Sequence, residues 1–294
     1  MRLLRAATLT VPDPEAALAG YVAWLDYERV EAGIVDPDLA SAWGAPESTG
    51  RSYAIGRPAS GADVFLRFVE GRVPADYRPL RTFGWAAVEI CVQDTLAVHE
   101  RMKASPFEVI GPPRELDGMP AIFPMQVRGP SGEIVYLTEI RDDLPDCDLP
   151  RAVSPIDKLF IAVLACSDLE RSTAWFEAAL GITVGPPMAI TYTMLAKSFD
   201  LPISQKHVIA TGLDGRDAFL ELDQYPPQAT ARPSDPGALP PGVSIVTLGL
   251  PSLERVRGEW ITPPRRRDGI LYGTGRTGTL RAPDDTLIEI VEIQ

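Results

Sequence analysis

The chain has 294 residues, 45% hydrophobic and 23% charged, an ordinary globular composition with length enough for two domains. A net charge of −12, a pI near 4.7 and the lack of any basic run interleaved with aromatics argue against a nucleic-acid or anionic-membrane partner. No apolar run approaches the roughly 18–20 residues of a membrane span, and the N-terminus lacks a leader-cleavage pattern, so a cytoplasmic location is expected. Three widely spaced cysteines, Cys91, Cys147 and Cys166, suggest neither a disulfide framework nor a thiolate metal site.

The first predicted unit opens with LRAATLTV and a helix capped by Asp13, with Pro14 at its first position and Leu18, Tyr21, Val22 and Leu25 as the apolar stripe. RSYAIGR and DVFLRFVE follow as paired strands around 59–63. The second unit runs from FGWAAVEICVQD through a helix starting at Asp94 to the strands IFPMQVRG and EIVYLTEI. The Pro- and Asp-rich segment 141–155 reads as the linker between domains.

The third unit, LFIAVLACSDLERSTAWFEAALGITV, is the clearest strand–helix–strand. Ser167 and Glu170 form a capping-box pattern, and Leu169, Thr173, Phe176 and Leu180 recur at helical spacing. KHVIATG and DAFLELDQ close it around the turn 213–216, and a second Pro-rich stretch, 226–242, follows. The fourth unit has VSIVTLGL, a short helix from Ser252 bearing Leu253, Val256 and Trp260, and a closing TLRAPDDTLIEIVEIQ. The helix starts at Asp13, Asp94, Asp168 and Ser252 lie 81, 74 and 84 residues apart, which marks an internal repeat. A single unit leaves an apolar sheet face open, so the units are expected to pair.

CSDLERSTAWFEAALGI (166–182), APDDTLIEIVE (282–292), VPDPEAALAGYVAWL and GPSGEIVYL resemble the βαβββ module of the vicinal oxygen chelate superfamily, which includes glyoxalase I, the bleomycin-resistance proteins and the extradiol dioxygenases. The resemblance covers nearly the whole chain. It implies an α+β fold of four βαβββ modules, paired into two domains whose curved mixed sheets enclose cavities. Pairing in chain order gives an N-terminal domain at 1–145 and a C-terminal domain at 155–294.

In catalytic members of the superfamily, the first strand of each module supplies His ligands to a metal and the last strand supplies Glu. Carried over by position, the first-strand sites fall on Ala6, Ala87, Ile161 and Ile245, and the last-strand sites on Arg67, Tyr136, Glu221 and Glu289. No first-strand side chain can bind a metal, so a metal cofactor is disfavoured and no metal ligands are assigned. Only two histidines exist, His99 on a helix and His207 in a strand. A tight hairpin at 213–216 would put Val208 on Glu221's face and turn His207 away.

Alternation along the strands, with the domains paired in chain order, then sets the expected cavities. The N-terminal cavity takes Thr8, Arg67, Trp85, Ala87, Glu89, Tyr136 and Thr138, with Arg67 the expected partner of a buried Glu89. The C-terminal cavity takes Val163, Glu221, Asp223, Thr247, Glu289 and Tyr192. Glu221 and Glu289 are the catalytic candidates, a carboxylate pair that would titrate together, and Arg67, Trp85, Glu89, Tyr136, Tyr192 and Thr247 are the binding candidates.

The leading functional reading is an enzyme acting on a small organic carbonyl or aromatic compound without the usual His-ligated metal. A non-catalytic protein that sequesters a small molecule is the alternative, and a metal-dependent dioxygenase or lyase is disfavoured. The expected partner is a small molecule, with homodimerisation left open.

Overall fold

The computed structural model describes residues 3–293. The first unit comprises β1 (Leu4–Val11), α1 (Pro14–Trp24), β2 (Tyr27–Ile34), α2 (Pro37–Ala42), β3 (Ser52–Pro58) and β4 (Phe65–Glu70). The second comprises β5 (Gly84–Val92), α3 (Thr95–Lys103), β6 (Glu108–Gly111), β7 (Ile122–Arg128) and β8 (Ile134–Ile140). The third comprises β9 (Ile156–Cys166), α4 (Leu169–Leu180), β10 (Thr183–Val184), β11 (Met188–Thr191), α5 (Thr193–Ser198), β12 (Lys206–Asp214) and β13 (Asp217–Gln224). The fourth comprises β14 (Gly242–Leu250), β15 (Arg265–Arg266), β16 (Arg276–Arg281) and β17 (Leu287–Glu292).

Four helices begin where an aspartate can take up free backbone N–H groups: Asp13 accepts from Ala16, Asp36 from Leu39, Asp94 from Leu96 and Ala97, and Asp168 from Arg171. Ser167 is not the cap. Its hydroxyl and N–H both donate to Asp284 near the chain's end. Gly181, at φ 67°, closes α4 in the left-handed conformation that costs glycine least. The helix expected from Ser252 is reduced to a single 3-10 turn at Leu253–Arg255.

The units pair, but not in chain order. Strand order in the first sheet is β15-β16-β17-β14-β1-β4-β3-β2, and in the second β10-β12-β13-β9-β5-β8-β7-β6 with β11 beside β12. The first unit therefore joins the fourth, antiparallel across β1 and β14, and the second joins the third across β5 and β9. The expected division at 145–155 separates no sheet from another. The segment 141–155 links two units of one sheet and is pinned to it: the Asp148 N–H donates to the Arg216 carbonyl, and Leu149 and Ala152 pack on the sheet's apolar cluster. Its restraint comes from sharing that sheet.

Alternation divides each sheet into two faces. Ala7, Leu9, Leu66 and Phe68 of the first sheet and Val88, Ile90, Leu164 and Leu222 of the second meet Leu18, Met102 and Phe176 from α1, α3 and α4 in one shared core. Each opposite face has its own cluster. Ala6, Phe65, Ile245 and Leu287 lie under Leu39, Trp43 and Tyr272 in the first sheet, and Ala87, Tyr136, Ile161 and Val163 lie under Tyr192, Leu195 and Phe199 in the second.

The second Pro-rich segment, 226–242, is held by Arg232. Its guanidinium donates to the carbonyls of Pro241 (3.2 Å), Val243 (2.7 Å) and Trp85 (2.6 Å). Limited proteolysis of the wild type is expected to spare this segment and 141–155. Arg232→Ala, which strands those carbonyls, should make 226–242 the first site cut. Cutting of the wild type and the variant at equal rates would show that Arg232 is not what restrains it.

Candidate functional site

The opposite faces of the two sheets bring together two polar clusters, and neither has the expected membership. In the first sheet, parallel pairing sets Thr8 beside Arg67 and Thr247 beside Glu289. Arg67 and Glu289, 2% and 1% exposed, form an ion pair at 3.0 Å. Arg67 also donates to Thr8 Oγ1 at 2.9 Å and to the Tyr272 hydroxyl at 2.5 Å. Glu289 accepts from Trp43 Nε1 at 2.9 Å, Thr247 Oγ1 at 2.8 Å and the Tyr272 hydroxyl at 3.1 Å. The Arg67 guanidinium lies 4.6 Å from the centre of the Trp43 ring. Burial alone would raise the Glu289 carboxyl, but Arg67, then Trp43 and Thr247, outweigh it and hold it below the usual carboxylate range. Every polar atom of the pair is engaged, so the cluster is a closed structural unit.

The second sheet holds the contrasting set. Glu89 on β5, Glu221 and Asp223 on β13, and Tyr136 and Thr138 on β8 share one face, and Tyr192, which precedes α5, closes over them. Tyr192 donates to the Tyr136 hydroxyl at 2.6 Å, within donating reach also of Glu221 at 3.1 Å. Thr138 donates to Glu89. Among the described residues no Lys or Arg pairs with any of the three carboxyl groups. Burial, then the neighbouring Glu221, pushes Glu89 up to about 8. Burial followed by Glu221 raises Asp223 well above its ordinary value. Burial raises Glu221 too, against the opposing hydrogen bonds of Asp223 and Tyr192. Glu221, half-buried, is nearest to solvent, whereas Asp223 is 1% exposed and its Oδ1 has no hydrogen-bond partner.

His207 belongs to this second cluster, contrary to expectation. A bulge between Gly212 and Leu213 shifts the β12–β13 register by one residue, pairing Thr211 with Glu221 and Ile209 with Asp223. His207 thereby faces inward, 4% exposed, with its ring 6.5 Å from that of Tyr192. Its Nε2 has no hydrogen-bond partner, and burial lowers its pKa.

Arg67 and Glu89 are not partners, and Glu221 and Glu289 are not a pair, because each belongs to a different sheet. Thr247 lies with Glu289, away from Glu221 and Tyr192. Trp85 leaves both clusters: a register shift between Trp85 and Ala87 turns it into the shared core, where its Nε1 donates to the Leu287 carbonyl of the other sheet at 2.8 Å. Tyr136, Tyr192 and Glu89 do meet Glu221. Sequence reasoning missed Trp43 and Tyr272, which sit outside the strand alternation that defined the candidates.

A metal of the kind the superfamily uses does not fit these residues. In the first sheet the carried-over positions are Ala6, Ile245, Arg67 and Glu289, so a guanidinium already neutralises the carboxylate. In the second they are Ala87, Ile161, Tyr136 and Glu221, and among the described residues no three His, Cys, Asp or Glu side chains converge on a common point suited to a metal ion. A cleft of about 540 Å³ opens elsewhere, lined by Arg5, Asp63, Lys158, Phe160 and Glu292 among others. It reaches none of the three carboxyl groups. Two of its arginines are already paired, Arg5 with Asp63 and Arg276 with Glu292.

No protein-family model matches the sequence, and no curated protein matches it. Among solved structures, glyoxalase I from Zea mays is similar over 99% of this chain and 92% of its own, at 17% identity and a TM-score of 0.65. A putative dioxygenase from Bacillus subtilis is similar over 98% of this chain and 84% of its own, at 14% identity and a TM-score of 0.62. Among the described residues no helix is long and apolar enough to cross a membrane. Four βαβββ-type units in two mixed sheets, matched along almost the entire chain, give this protein the fold that glyoxalase I and the putative dioxygenase share.

Proposed function

We propose that the protein is an enzyme of the glyoxalase/dioxygenase type that performs proton-transfer chemistry on a small organic compound at the inner face of the second sheet. The observation that carries this reading is the set of three buried carboxyl groups, Glu89, Glu221 and Asp223, with no cationic side chain beside them. Burial keeps such groups protonated toward neutral pH, the range in which a carboxyl donates and accepts protons most effectively. Glu221, at the solvent side and touched by Tyr192, is the acid–base residue. Glu89 and Asp223 set its charge state, and Tyr192 and Tyr136 supply hydroxyls to orient an oxygen of the substrate. Glu289 has no part in it, because Arg67, Trp43, Thr247 and Tyr272 occupy its lone pairs.

The test needs no prior substrate. In D2O, proton NMR would follow exchange of the α-proton across a panel of small ketones, aldehydes and hydroxyketones. The expected result is exchange above the buffer rate for at least one member, lost by about 10²-fold or more in Glu221→Gln, the usual size of a general acid–base contribution. Sequestration is the competing reading, favoured by the way Tyr192, Leu195 and Phe199 seal the face. Tight binding with no exchange in the wild type, unchanged in Glu221→Gln, would establish it instead.

A further inference from the structure

The repeat provides an internal comparison. At equivalent last-strand positions the first sheet sets Arg67 against Glu289, while the second sets Tyr136 against Glu221. The Arg67 guanidinium fills its place by meeting a carboxylate, a tyrosine hydroxyl and an aromatic face together. The second sheet has the same kinds of partner in greater number. It has three carboxyl groups, the hydroxyls of Tyr136 and Tyr192, and the Tyr192 ring, but no cation among the described residues.

Two further atoms point the same way. His207 Nε2 and Asp223 Oδ1, on residues 4% and 1% exposed, face this cluster with no partner. Buried acceptors are seldom left unmatched, because each costs about 1–3 kcal/mol. Asp223 meets Glu221 through its other oxygen, so Oδ1 accepts whether or not the acid is ionised, and an imidazole protonated at Nδ1 accepts at Nε2, so the missing partner is a donor. Cations around this face are already engaged: Lys206 and Arg114 with Asp117 and with Thr191 and Thr193 of the covering segment, and Arg232 with the carbonyls of Pro241, Val243 and Trp85.

We propose that the second sheet binds a small organic cation, an ammonium or guanidinium carried on an apolar body. Its N–H groups donate to Glu221, Asp223 and His207, and Tyr136 and Tyr192 flank it as Trp43 flanks Arg67. The acceptors are too dispersed to converge on a metal ion, whereas an ammonium or guanidinium spreads three to five donors over a wider volume. The inference rests on the preceding assignment of the functional face to the second sheet and adds the charge of the substrate.

The experiment uses the full chain and three probes of one shape: benzylamine as its cation, benzyl alcohol and benzoate, titrated calorimetrically at pH 7. Benzylammonium is expected to bind at least about tenfold more tightly than benzyl alcohol, and benzoate to show no binding. Glu221→Gln and Asp223→Asn should each weaken the cation by tenfold or more. Asp63→Asn, at the separate cleft, should leave it unchanged and so excludes general attraction to an acidic protein. Far-UV circular dichroism and unfolding midpoints would show that the isosteric variants remain folded.

Equal affinity for the alcohol and the cation, cation binding indifferent to Glu221 and Asp223, or no binding by any probe would each overturn the proposal. The two readings fail separately. Glu221-dependent exchange on a neutral carbonyl compound, with no preference for the cation, removes the charge assignment and leaves the acid–base site standing. Absence of both exchange and binding removes both.

Discussion

Arg67→Met is expected to destabilise the protein by roughly 3–5 kcal/mol, because it leaves the Glu289 carboxylate buried beside Thr247 with its countercharge removed. Glu289→Leu should cost a similar amount, since it strands the guanidinium. The double variant should lose much less than the two single losses combined, because uncharged side chains of similar volume have no ions to keep out of water. Urea unfolding of the four proteins at neutral pH measures this directly, and additive losses would show that the two groups do not interact. The pair also has a pH signature. The folded-state pKa of Glu289 is lowered, so its contribution is present above the unfolded carboxyl value and is lost as the pH falls through the folded value.

Glu89 should behave in the opposite sense. Its carboxyl is pushed from 4.5 up to about 8, so below 4.5 it is protonated in folded and unfolded chains alike and has no effect. Between those values the unfolded chain releases a proton that the folded chain retains, and stability falls as pH rises, by about 5 kcal/mol across the window. Glu89→Gln removes that titration. Compared with the wild type, it should be close to neutral at pH 4 and more stable by several kcal/mol at pH 9, as read from denaturant midpoints at constant ionic strength. A difference between the two proteins that stays flat from pH 4 to pH 9 would mean that Glu89 is ionised in the folded protein.

The repeat itself was legible because its signals are local. Asp13 and Asp94 cap helices where they were expected to, the third cap falls on Asp168, one residue after the Ser167 of the capping-box pattern, and the closing strands of each unit lie where alternation and turns put them. Which units pair was not legible, because each presents a similar sheet edge and no residue near that edge states its partner. Assuming neighbours in sequence were neighbours in the sheet misassigned Arg67, Thr247 and Glu289 together. Two single-residue irregularities did the rest. The shift after Trp85 and the bulge at Gly212/Leu213 each invert the face of the residues beyond them, removing a predicted binding residue and adding His207. The isolated Gly212 within its strand is the one local sign of a bulge and nothing marks the position after Trp85, so counting by twos along the strand ran through both.

The nested order of the pairing has a consequence for synthesis. A chain emerging from the ribosome can complete the second sheet once β13, ending at Gln224, has appeared, because both of its units are then present. The first sheet must wait for β17, which ends at Glu292, although its opening strands are made first. At roughly 5–20 residues per second the edge of β1 that β14 will cover stays unpaired for on the order of ten seconds or more. During that interval the inner pair of units is a folded body with an unfinished sheet tethered to it, and this is the species most exposed to wrong strand pairing with another copy.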